Sequence, residues 1–118
     1  MRDIYFRQGV YGDKLNKPIR KTLPIVLNAY KEIAHQPFIL ITSTFESSQH
    51  CAESCHYVHD AYDVQLPLNR NFQLDNEKAK EVFKEIQHRV KIHLEPRYGN
   101  YDYVLHSNSH IHIEFDPE

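Results

Sequence analysis

No apolar stretch in these 118 residues approaches the ~20 that a membrane-spanning helix needs, and the opening Met1-Arg2-Asp3-Ile4-Tyr5-Phe6-Arg7 contains no run of signal-peptide length. Such a chain is expected to be leaderless and made in the cytoplasm, with no membrane partner. Charge of one sign is also lacking. A net charge of -2 leaves no electrostatic footprint for nucleic acid or an anionic surface. Internal repeats, low-complexity tracts and compositional breaks are absent, so residues 1–118 are expected to form one domain with one core. Cysteine is scarce. Cys51 and Cys55 admit three readings: free thiols, a structural zinc site shared with His56 and His59, or a disulfide if the protein works outside the cell.

What remains is an ordinary globular balance, 25% charged and 41% hydrophobic, with one unusual enrichment in histidine. There are nine histidines, and six of them (His50, His56, His59, His106, His110, His112) crowd into two segments. That clustering favours a metal over chance. His35, His88 and His93 lie elsewhere and read as surface or hydrogen-bonded residues.

Periodicity sets out the elements. The region before Asn16 alternates weakly and carries Gly9 and Gly12, which reads as a short strand or arm followed by a turn. A helix is expected from Pro18, or from near Thr22 with Pro24 in its first turn, on the stripe Leu23, Val26, Leu27, Tyr30, Ile33, Ala34. Phe38 to Thr42 reads as a buried strand and Ser43 to Cys55 as a long polar loop over the site. Ala61 to Pro67 reads as a strand whose Tyr62, Val64 and Leu66 enter the core, followed by a turn through Asn69, Arg70 and Asn71. A second helix runs from about Asp75, a good N-cap, to about Leu94, with Pro96 beyond it. Two closing strands, Tyr101 to Leu105 and His110 to Phe115, could pair as a hairpin. The expected fold is α+β, two helices on a small, mostly antiparallel sheet, with functional residues on the face or end the helices leave open.

The chemistry concentrates in Ser54-Cys55-His56-Tyr57-Val58-His59-Asp60-Ala61-Tyr62-Asp63 and His110-Ile111-His112-Ile113-Glu114-Phe115. Strand alternation places residues 110, 112 and 114 on one face. A hydrolytic zinc centre commonly uses three nitrogen or oxygen side chains and leaves a fourth position for water, which the metal acidifies. His56, Asp63 and His112 would supply that set.

The first of these segments resembles the Ser-x-His-x-x-Gly-x-Ala-x-Asp signature of the zinc D-alanyl-D-alanine peptidase and hedgehog group, with Ser54, His56, Ala61 and Asp63 in matching places. The tail is similar to that group's closing His-x-His strand, and Ile41-Thr42-Ser43-Thr44-Phe45 to its segment upstream of the first ligand. The resemblance covers about residues 38 to 116. It implies a hedgehog/DD-peptidase-like fold, zinc on His56, Asp63 and His112, and a catalytic histidine at His110. It implies a peptide or peptidoglycan substrate, reached by phage-type release or lysis if the protein is leaderless.

Departures from the pattern bear on activity. His59 replaces the signature glycine, and Glu46 stands where carboxypeptidases of the group place a carbonyl-polarising arginine. Ser109 and His106 fall where two branches of the group keep a catalytic glutamate. His110 can be read as general base or as a residue holding a ligand in place, and His106 as a second catalytic candidate. Ser54 and Glu46 are the substrate-side candidates, while Arg70 and Arg97 read as surface charges. The expected activity is zinc-dependent hydrolysis of short peptides, as carboxypeptidase or endopeptidase. The rival is a zinc-stabilised binding domain of the same fold without turnover.

Overall fold

The structure is a computed structural model that describes residues 3–10, 15–45 and 61–116. Its strands are β1 (Ile4–Phe6), β2 (Ile39–Phe45), β3 (Ala61–Gln65), β4 (Tyr101–His106) and β5 (His110–Phe115). Its helices are α1 (Lys17–Arg20), α2 (Thr22–Ile33), α3 (Asn76–His93) and α4 (Glu95–Tyr98). The five strands form one sheet in the order β1-β2-β3-β5-β4. The chain is therefore α+β as expected. The sheet is mixed, because β1 runs parallel to β2 while every other pair is antiparallel.

Alternation on β3 and β5 divides the sheet into two faces. Tyr62 and Val64 pair with Ile113 and Ile111 on the inner face, where all four are fully buried. They join Ile39 and Ile41 of β2, Val26 and Tyr30 of α2, and Val82, Ile86 and Val90 of α3 in one core. Fully burying such a side chain contributes about 1.5–3 kcal/mol relative to leaving it in water. That sum fixes the register, since a one-residue slip of β5 would carry its histidines into the core.

The helices start where the sequence permits. The stretch from Pro18 is not one helix: a single turn with Pro18 near its start gives way at Lys21, and α2 begins at Thr22 with Pro24 inside its first turn. A proline is tolerated there because its missing N–H would have no intrahelical acceptor. Behind this junction the Thr22 hydroxyl donates to the Ile19 carbonyl at 2.6 Å and lies 2.6 Å from the Tyr62 hydroxyl. Since the Thr22 proton is committed to Ile19, Tyr62 is the donor to Thr22. The far end of α2 closes with the Ala34 and Gln36 amides both donating to the Tyr30 carbonyl, His35 adopting φ 56 between them.

On α3 the Asp75 carboxylate accepts from the Lys78 amide at 3.0 Å, the N-cap its position suggested. A one-turn helix with Pro96 near its start follows instead of a simple stop. Arg89 joins the two long helices by donating to Glu32 of α2 and Glu85 of α3.

The expected loop boundary needs correction. The loop expected from Ser43 starts later, because β2 continues through Phe45 and pairs Ser43, Thr44 and Phe45 with Asp63, Tyr62 and Ala61. Backbone pairing needs no apolar side chain on an uncovered face, so polarity there was no sign of a loop. A bulge between Ile41 and Ser43 inserts Thr42, whose carbonyl accepts from the Arg7 guanidinium at 2.9 Å.

Candidate functional site

The outer face of the sheet carries the polar residues in rows. Gln65, His110 and His106 form one row across β3, β5 and β4; Asp63, His112 and Val104 form the next; Ala61, Glu114 and Asp102 form the third. Histidines thus occupy the end of the sheet at the β4–β5 turn, and carboxylates the opposite end. Asp63 and His112 lie between them.

Asp63 is the hub. It is only 7% exposed, yet its two carboxylate oxygens meet two imidazoles: Oδ1 lies 2.8 Å from His112 Nδ1, and Oδ2 lies 3.5 Å from His110 Nε2. The other ring nitrogen of His112 lies 3.2 Å from Glu114 Oε1. His110 Nδ1 lies 2.6 Å from the Ser109 hydroxyl, and its ring sits beside that of His106 with centroids 4.4 Å apart.

Burial and charge pull these imidazoles in different directions. Burial alone would lower the His112 pKa, but hydrogen bonding to Asp63 and Glu114, together with the charges of both, outweighs it and raises the pKa above its ordinary value. Burial lowers that of His110; Asp63 opposes the shift, and neighbouring His106 and His112 add to it. Burial thus favours the uncharged form of His110, while the carboxylates around His112 favour its charged form. At the acidic end, burial raises the Asp102 carboxyl, with a hydrogen bond to Asp116 and the charges of Asp116 and Glu114 adding to the effect.

The structure brings Asp63 together with His110 and His112, which lie far from it in the chain, with His106 alongside His110. His56, Ser54 and Glu46 lie outside the described residues, as do Cys51, Cys55, His59 and Asp60. Among the described residues no group of three or more His, Cys, Asp or Glu is arranged to hold an ion. The Asp63–His112 pair nevertheless suits part of a zinc shell. Bonds of about 2.0–2.1 Å from a tetrahedral zinc place neighbouring ligand atoms about 3.3 Å apart, a small adjustment for oxygen and nitrogen already in contact.

Glu114 was not singled out as a site residue from the sequence. The signal was present, since alternation puts residue 114 on the same face as 112, but spacing does not show which way a glutamate turns. His35, His88 and His93 are exposed, as are Arg70 and Arg97. No helix among the described residues is long and apolar enough to cross a membrane. No protein-family model, curated protein or solved structure matches the chain.

Proposed function

We propose that this protein is a zinc-dependent peptidase of hedgehog/DD-peptidase-like fold that hydrolyses short peptides, with peptidoglycan stem peptides as the substrate class. The observation that carries this reading is the direct contact of Asp63 with His112 on the outer face of the sheet, with His110 against the same carboxylate. Asp63 and His112 would hold the zinc together with His56. When bound, the zinc supplies Lewis acidity for the scissile carbonyl and for water. His110 then takes the proton released by the attacking water and passes it to the leaving amine. Ser109 orients the His110 ring through its 2.6 Å contact with Nδ1, leaving Nε2 directed at the centre. The His106 ring lies beside that of His110, with centroids 4.4 Å apart. Ser54 and Glu46 are proposed on the substrate side, and access to cell wall would follow release from the cell.

Metal analysis and muropeptide hydrolysis of the purified protein test this. One equivalent of zinc is expected, with the metal lost in His56→Ala, Asp63→Ala and His112→Ala. In His110→Ala the metal stays and turnover falls by about 10²–10⁴-fold. Zinc without cleavage of any muropeptide or Ala-Ala peptide would support the binding-domain reading instead. Absence of zinc from a folded wild type would end both.

A further inference from the structure

The two ring nitrogens of His112 have different neighbours, and their bonding directions diverge. Nδ1 lies 2.8 Å from Asp63 Oδ1, whereas Nε2 lies 3.2 Å from Glu114 Oε1. This inference rests on the zinc reading above, in which Asp63 and His112 hold the same ion. Only Nδ1 faces the Asp63 oxygen, so only Nδ1 can share an ion with it. A neutral imidazole that gives the Nδ1 lone pair to a metal carries its hydrogen on Nε2. That hydrogen faces Glu114.

We propose that Glu114 is a positioning residue for the metal centre: it accepts the Nε2–H of His112 and holds the ring in the tautomer that presents Nδ1 to the zinc. The local sequence makes this possible. Residues 112 and 114 point to the same face of β5, and the partner of Glu114 on β3 is Ala61, whose methyl group offers no competing hydrogen bond. The carboxylate is about one-third exposed, so it is available to the imidazole without the large desolvation cost of a fully buried charge. Carboxylates placed behind a ligating histidine orient the ring and raise its basicity.

Calorimetric zinc titration of the stripped wild type, Glu114→Gln and Glu114→Leu tests the proposal, together with long-range proton–nitrogen spectra of the zinc-loaded wild type. The spectra are expected to show His112 with metal on Nδ1 and hydrogen on Nε2. Zinc affinity should weaken about 10- to 100-fold in Glu114→Leu. It should largely recover in Glu114→Gln, whose amide oxygen still accepts from Nε2–H. Unchanged affinity in Glu114→Leu, a Gln variant as weak as the Leu variant, or metal on Nε2 overturns the inference and leaves the zinc reading standing. A wild type that takes up no zinc overturns both. Should Glu114→Leu fail to fold, the wild-type spectra decide.

Discussion

Replacing Thr22 with Val tests how the strand that carries Asp63 is held from behind. The change nearly preserves shape but removes the oxygen that accepts the Tyr62 hydroxyl, at a site where both residues are fully buried. A buried hydroxyl left without a partner costs about 1–3 kcal/mol. Tyr62→Phe removes the donor instead and leaves Thr22 bonded to the Ile19 carbonyl, so it should cost only about 0.5–1.5 kcal/mol. With 118 residues and about 2.1 cal/mol/K per residue, the unfolding entropy is near 0.25 kcal/mol/K, so each kcal/mol moves Tm by about 4 °C. Thermal denaturation should therefore show a loss of about 4–12 °C for Thr22→Val and about 2–6 °C for Tyr62→Phe. The double variant carries no stranded hydroxyl at this contact and should be no less stable than Thr22→Val alone. Losses that add in the double variant to within about 0.5 kcal/mol would refute the hydrogen-bond argument.

Two further outcomes follow from features outside the core. Phe72 adopts φ 63 while 84% exposed, so its ring adds little burial to offset a left-handed backbone costing about 1–2 kcal/mol. Phe72→Gly should raise Tm by up to about 4 °C after the entropy cost of glycine, and Phe72→Ala, which keeps a Cβ, should not; equal gains in denaturation curves would refute this. In chelator-treated protein, the raised His112 pKa contributes stability fully present below the unfolded value of 6.5 and lost as pH rises through the folded value. His110, shifted the other way, acts only below 6.5. Stability should therefore fall as pH is raised above about 6.5 and through the folded value of His112. Chemical denaturation across that window should show the decline in wild type and its absence in His112→Ala.

The elements easiest to read were those whose local pattern and tertiary role agree. For α3, the N-cap Asp75 and the stripe through Val82, Ile86 and Val90 define a helix of the expected extent, and β5 spans the six residues its alternation suggested. The juxtaposition of Asp63 with His112 was legible because residues that alternate with a buried set must share the opposite face. Strand order was less accessible. The parallel pairing of β1 with β2 depends on contacts distant in the chain, and three residues carry too little periodicity to announce it. The bulge at Thr42 was invisible for a related reason, since its phase shift is set by what lies across the sheet. Glu114 was in view by spacing alone, but its partner depended on the rotation of the His112 ring.

The position of β5 has a consequence for how the protein comes to exist. It follows every other strand in the chain, yet it lies between β3 and β4, and the contact of His112 with Asp63 closes over 49 residues. A nascent chain halted before residue 110 would have β4 with no strand partner and Asp63 with neither His110 nor His112. The Asp63–His112 contact must therefore wait until residues 110–115 have left the ribosome, and a synthesis product stopped short of them would contain neither His110 nor His112.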